Sequence, residues 1–310
     1  MARRRMPAWQ AAPLWAALRL AGLAVTPLPR SWELALGAAL GRLALRVDRR
    51  RRRVVEENLR HCLPELGEAG RADLLRRNFE HYGRLFFELA HVFSPLPGHY
   101  ARWARRHTRL HGREHWAKAL ERGKGVLFVS SHVGNWELMA AAGALHGFPF
   151  VIVTRRLTPD WLMACMERQR ASVNLTAAYQ PRTLPTVLKA LKRGGTAGFV
   201  IDQYASAPEG VKALFFGVEV ETLSVVGPLA ARTGAAIIPG SGYRDEAGVV
   251  HTVLSPALEL GEALADPAAS TQAFASIVEG WVRAHPDQWL WGHRRFKNSL
   301  WPDGTPAYKL

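Results

Sequence analysis

The clearest capacity for chemistry lies in Val126–Glu137, VLFVSSHVGNWE, where a histidine and a glutamate stand five positions apart. On one continuous helix that spacing turns the chain through about 500° and leaves the side chains about 140° apart, out of reach of each other. Across a strand-to-helix turn the outcome differs. The apolar run Val126–Val129 ends near Ser131, His132 falls on the connecting loop, and Glu137 falls in the first turn of the helix that begins near Trp136. Gly134 supplies a permissive backbone and Asn135 a helix cap. There a carboxylate can hold one ring nitrogen while the other faces an open site at the carboxyl end of a strand. This is a general base with its orienting partner, the second half of a Ser-His-Asp arrangement. No serine nucleophile accompanies it, because Gly240-Ser241-Gly242 lacks the Gly-x-Ser-x-Gly elbow. The hydroxyl to be activated would then belong to the substrate. His-Glu-x-x-His is absent, so no metal site is expected. Taken alone, the spacing also fits a core histidine that precedes a helix.

The surrounding elements read as an α/β protein. Short apolar runs at Val126–Val129, Phe150–Val153, Ala197–Ile201 and Ala236–Pro239 alternate with helix-like stretches at 113–122, 136–146, 160–170, 184–192 and 224–233. This alternation predicts a mixed, mostly parallel central sheet with helices on both faces. Gly248–Leu254 adds an antiparallel strand. Phe274, Ile277, Val278 and Trp281 form the stripe of a closing helix that Pro286 ends. Upstream, Leu75, Phe79, Tyr82, Phe86 and Leu89 mark an amphipathic helix.

The chain has 310 residues, 48% of them hydrophobic and 22% charged, which excludes a disordered protein. Two cysteines, Cys62 and Cys165, exclude a disulfide scaffold. Forty-one basic residues face 26 acidic ones, for a net charge of +15. That excess points to anionic partners: nucleic acid, an acidic membrane surface, or acidic or phosphorylated substrates. Residues 1–60 concentrate it, with thirteen arginines against Glu33, Asp48, Glu56 and Glu57. The same stretch is the most apolar, in Trp9–Leu28 and Trp32–Val47, and Trp9, Trp15 and Trp32 suit an interfacial depth. A span needs about 20 apolar residues, and Arg19 interrupts the first segment. A single span and an in-plane hairpin therefore both remain open, as do a signal peptide and a buried helix with a basic tail. The expected organisation is a basic, apolar membrane anchor at 1–50 and a catalytic domain at 51–310.

The segment SSHVGNWELM resembles the His-x4-Asp/Glu motif of glycerolipid acyltransferases, and its HVGNWE form resembles the bacterial lipid A biosynthesis acyltransferases, the late lauroyl- and myristoyltransferases. Further elements follow in that family's order. Asn58-Leu59 with Pro64-Glu65 resembles its NLxxxFPE segment, with Cys62-Leu63 departing from it. Ile201-Asp202-Gln203 resembles its PDQ, with isoleucine for proline. Phe215-Phe216-Gly217, Thr222, Leu229–Gly234 and Ile238-Pro239 resemble its FFG…T…LARxTG…P run, and Trp291–Lys297 its closing WxHRRFK. The resemblance covers roughly residues 50–300.

It implies a glycerolipid-acyltransferase-like fold and transfer of a fatty acyl group from a thioester donor, acyl carrier protein or coenzyme A, to a hydroxyl of a phosphorylated glycolipid, foremost a lipid A precursor. No cofactor is implied. By this resemblance His132 is the general base and Glu137 orients and polarises it. Arg170 binds the acceptor phosphate or the developing negative charge, with Arg168 as the alternative at this helix end. Asp202 lines the cleft and orients a partner, and Asn135 joins the substrate-binding residues. The structural alternatives are a solvated cation for Arg170, a turn residue for Asp202, and a solvated basic face for His293–Lys297 instead of a headgroup site. Trp289, Trp291 and Phe296 read as packing more than as an acyl tunnel. The implied location is the cytoplasmic face of a bacterial inner membrane. A phosphatidylinositol mannoside, other glycolipid or lysophospholipid acyltransferase is the nearest alternative. A basic membrane-associated nucleic-acid-binding or scaffold protein is the alternative of another class, and no helix-turn-helix, zinc-finger or RNA-binding signature supports it.

Overall fold

A computed structural model describes residues 8–181 and 183–308; the basic start Arg3–Arg5 lies outside them. The chain opens with four helices, α1 (Ala8–Val25), α2 (Arg30–Val47), α3 (Arg49–Cys62) and α4 (Gly67–Ala90), then α5 (His99–His107). Strands and helices then alternate: β1 (Thr108–His111), α6 (Arg113–Glu121), β2 (Val126–Ser130), α7 (Trp136–Leu145), β3 (Phe150–Thr154), α8 (Asp160–Ser172), β4 (Leu175–Tyr179), α9 (Leu184–Lys192) and β5 (Thr196–Val200). A hairpin, β6 (Gly210–Phe215) and β7 (Val218–Leu223), leads to α10 (Val226–Thr233), β8 (Ala236–Arg244), β9 (Val250–Leu254) and α11 (Pro267–Ala284).

Seven strands form the central sheet in the order β1-β9-β8-β2-β5-β3-β4. Every neighbouring pair is parallel except β8 with β9, which is antiparallel. The expected mostly parallel sheet with an antiparallel Gly248–Leu254 strand is therefore present. β2 lies at the centre and all five of its residues are buried. Alternation sends Leu127 and Val129 into one core and Val126 and Phe128 into the other. The first core takes α3, α4, α9, α10 and α11 together with Trp289, Trp291 and Phe296; the second takes α5 to α8. The three aromatics are packing residues. The hairpin was not anticipated. Its turn is Phe216-Gly217, both at positive φ (52° and 73°), the geometry of the two-residue hairpin loop.

The amino-terminal apolar region divides into two helices of 18 residues each, with Pro13 and Arg19 inside the first and Pro27 and Pro29 between them. Among the described residues no helix is long and apolar enough to cross a membrane, so the single-span form of the anchor gains no support. α2 is docked along α4 at glycines. A Cβ on Gly83 would stand 2.0 Å from the Gly37 carbonyl oxygen, and one on Gly41 would stand 2.2 Å from that of Phe79. Away from this seam the pair exposes Leu14, Trp15, Leu20 and Leu23 on α1, and Trp32, Leu36, Leu43 and Val47 on α2.

Candidate active site

β2 and β5 are parallel neighbours in register, Ser130 opposite Val200. Two residues beyond that last pair, on adjacent loops, stand His132 and Asp202. Asp202 Oδ1 lies 2.6 Å from His132 Nδ1, and its Oδ2 accepts from the His132 backbone N–H at 2.7 Å and from the Trp289 indole N–H at 2.7 Å. Burial opposes ionisation of this carboxyl, but the His132 ring, its hydrogen bonds and the indole outweigh that and hold the group below the usual carboxylate range. An ionised Asp202 can only accept, so Nδ1 carries a proton and Nε2 is the ring nitrogen left for the cavity. The Asp202 side chain is 1% exposed and that of His132 15%, so the acid is sealed while the imidazole reaches the cavity.

The turn that presents His132 is built as its residues imply. Gly134 has φ +70°, and a Cβ there would lie 2.7 Å from the Gly242 carbonyl oxygen. Its N–H donates to Gln288 O at 3.0 Å. Asn135 caps α7, its Oδ1 accepting from Leu138 N at 3.0 Å, while its Nδ2 donates to Glu88 Oε2 at 2.7 Å. Glu88 is itself gripped by Arg244 at 2.7 and 2.5 Å and paired with Arg30. Burial would raise the Glu88 pKa, but Arg244 and Arg30 overcome it and bring it from 4.5 to about 2. Asn135 is buried with both ends of its amide used, so its expected place among substrate contacts is corrected: it fixes the turn.

Glu137 needs the second correction. It was expected to hold the imidazole; instead its two oxygens accept from Arg170 Nε at 2.8 Å and Nη2 at 3.0 Å. The five-residue spacing does place both side chains around one cavity, but the ring nitrogen is taken by Asp202 from the neighbouring strand. Glu137 counteracts the burial of Arg170 and raises its pKa. Arg170 lines the cavity with Glu137, whereas Arg168 is exposed on α8 and does not line it.

That cavity is about 740 Å³, within the usual range for small-molecule sites. Its inner wall is apolar: Phe128, Phe150, Ile152 and Gly198 from the sheet, with Met139, Leu162, Met166 and Phe93. Exposed polar residues, among them Arg155, Gln180, Ser206 and Glu209, form its rim. Sequence reasoning missed Arg155, as it missed Gln203, whose Nε2 lies 3.3 Å from His132 Nε2. It also missed the structural use of the closing cluster. Arg295 is fully buried and donates to the Gln203 and Glu221 carbonyls at 2.9 Å each, which pins the loop carrying Asp202 and Gln203; burial lowers its pKa to about 10. The solvated-face expectation for that cluster fails at Arg295. Among the described residues no group of three His, Cys, Asp or Glu side chains is placed to hold a metal ion.

A family model described as bacterial lipid A biosynthesis acyltransferase matches residues 4–298. The chain is 28% identical to a lipid A biosynthesis lauroyltransferase of Escherichia coli K12 over 286 residues, 91% of this chain and 90% of that protein. It is 26% identical to a lipid A biosynthesis palmitoleoyltransferase of the same strain over 269 residues, 84% of each. It is 27% identical to a phosphatidylinositol mannoside acyltransferase of Mycolicibacterium smegmatis over 209 residues, 61% of this chain and 67% of that protein.

Proposed function

The chain belongs to the bacterial lipid A biosynthesis acyltransferase family and is an O-acyltransferase, and from that premise we propose that it moves a fatty acyl chain from a thioester, on acyl carrier protein or coenzyme A, to a hydroxyl of a lipid A precursor. The observation that carries this reading is an apolar cavity with the Nε2 face of an Asp202-held imidazole at its edge and Arg170 in its wall. The acyl chain occupies the apolar part, which places its thioester carbonyl near His132.

His132 Nε2 takes the proton of the acceptor hydroxyl as its oxygen attacks the thioester carbon. The tetrahedral intermediate then collapses with cleavage of the C–S bond, and the imidazolium returns the proton to the departing sulfur. Asp202 holds the reactive tautomer and stabilises the imidazolium. Arg170, held by Glu137, meets the acceptor phosphate or the developing oxyanion. The Gln203 amide beside Nε2 supplies a further donor. Arg155 at the rim suits a phosphorylated acceptor, and the net charge suits both an anionic bilayer and an acidic carrier protein.

The exposed apolar side chains of α1 and α2 support attachment in the plane of a membrane surface, the inner membrane's cytoplasmic face in this reading, with the body from residue 51 onward as the catalytic unit. The mycobacterial relative supports a second reading in which the acceptor is a phosphatidylinositol mannoside. Mass spectrometry of total lipids from cells with and without the gene separates the two acceptors. Purified His132→Ala should lose at least about a hundredfold in turnover, and near-wild-type transfer by that variant would overturn the mechanism.

A further inference from the structure

A second cavity of about 390 Å³ lies where the α1–α2 connection meets α5. Pro29, Arg30 and Glu33 form one wall. His99, Arg102, Trp103 and Arg106, spaced three and four apart on one helix face, form the other. None of its lining residues lines the catalytic cavity. The two flank the short turn His91–Phe93, since Phe93 lines the catalytic cavity and the His91 ring stacks on Trp103 at 4.1 Å.

Two of the pocket's three arginines lack an acidic partner among the described residues. Its acid, Glu33, is consumed by Arg30 at 2.7 Å, and Arg30 is also bound to Glu88. Among the described residues neither Arg102 nor Arg106 makes an ion pair or a side-chain hydrogen bond. No aspartate or glutamate occurs between Glu88 and Glu114, a stretch that also holds Arg105, Arg109 and Arg113. Two arginines at i and i+4 repel each other on a bare helix, and a bound anion relieves that repulsion. Burial and then the neighbouring His91 and Arg102 depress the His99 pKa.

We infer that this pocket binds the phosphoryl headgroup of a lipid, clamped between Arg102 and Arg106 of α5 and the start of α2. A lipid fits better than a soluble phosphate because the pocket opens beside apolar surface: Leu36, three residues after Glu33 on α2, and Leu23, three residues before Thr26, are both exposed. The headgroup sits among guanidinium donors and its chains lie along the exposed apolar side chains of α1 and α2. The inference rests on the membrane-surface reading above and gives that surface a headgroup-selective site outside the reaction chamber.

The test is co-sedimentation of the full chain with phosphatidylcholine vesicles, alone or carrying a minority of phosphatidic acid. Wild type should gain affinity from the phosphatidic acid. Arg102→Gln/Arg106→Gln should lose about tenfold or more of that gain while binding pure phosphatidylcholine as wild type does. Arg49→Gln/Arg50→Gln, exposed on α3, should keep most of it. Unfolding midpoints confirm that both variants fold. Equal losses from the two pairs, or a gain that survives in the pocket variant, would overturn the inference and leave only diffuse attraction. Inorganic phosphate titrated without vesicles is the second arm, read as a rise in unfolding midpoint. Free phosphate binding as tightly as the lipid would overturn the lipid assignment. Failure of wild type to bind either vesicle would instead refute the membrane reading.

Discussion

Asp202→Asn is the perturbation that most directly probes the site. The carboxylate has two accepting ends: Oδ1 faces Nδ1 of His132 at 2.6 Å, and Oδ2 receives two buried N–H groups, from His132 and Trp289, at 2.7 Å each. Asparagine fills the same space but keeps one accepting oxygen. If that oxygen faces the imidazole, two buried donors lose their partner, at about 1–3 kcal/mol each. If it faces the two N–H groups, only the ring contact is lost. The second arrangement is favoured, and it aims the new NH2 at Nδ1. Nδ1 must then accept, the proton moves to Nε2, and the lone pair that would take the acceptor's proton disappears. The same exchange removes the charge that stabilises the imidazolium. Loss of the correct tautomer costs about 10⁴ in turnover where it has been isolated, and an effect of about 10³–10⁴ is expected here. The assay is single-turnover acyl transfer, with nitrogen-15 shifts of the His132 ring to report the tautomer and thermal unfolding to confirm the fold. A folded variant within tenfold of wild type, or an unchanged ring tautomer, would refute the reasoning.

The Glu137→Gln substitution leaves the Arg170 guanidinium buried beside a neutral amide; breaking such a pair costs about 3 kcal/mol. Turnover should fall while the pH profile of kcat/KM keeps its shape, and a shifted profile with no loss of stability would put Glu137 back on the imidazole. Glu88, lowered from 4.5 to about 2 in the folded chain, contributes stability that is fully present above its unfolded pKa and is lost as pH falls through this window. The difference amounts to about 3 kcal/mol. Unfolding curves between neutral pH and pH 2 should therefore flatten in Glu88→Gln, and an acid sensitivity equal to wild type would contradict the assignment. Gly198 lines the cavity beside His132, and a Cβ there would meet Phe150 Cζ at 2.7 Å. Gly198→Leu should shift the preference toward shorter acyl donors, by about 0.8 kcal/mol for each methylene excluded. An unchanged ratio of kcat/KM between long and short donors would argue against this chamber as the acyl site.

Much of the architecture was legible because its cause is local. Apolar runs of four or five residues, separated by helices with Gly or Pro ends, announced the strands at 126, 150, 197 and 236. Gly134 and Asn135 marked the turn after β2 for reasons of backbone and cap alone. The hairpin at Phe216-Gly217 was less visible: its turn requires positive φ at a phenylalanine, which residue type does not signal. Asn135 misled because a capping amide and a substrate-binding amide look identical in a sequence, and only burial beside Glu88 and Arg244 tells them apart.

The pairing of acids with bases was decided by the tertiary structure. The residues themselves put a histidine at the carboxyl end of a central strand with Glu137 close by in sequence, and the family resemblance implied Arg170 and Asp202 around the same cleft. Sequence proximity favoured Glu137 as the imidazole's partner. Two parallel strands in register instead brought Asp202, seventy residues away, to the same level as His132 and sealed it under Trp289. A strand-to-helix turn can lift Glu137 over the cavity toward Arg170, but only hydrogen bonding between β2 and β5 could set the lateral neighbour of the His132 ring. That choice depends on strand order and register, which no local spacing encodes.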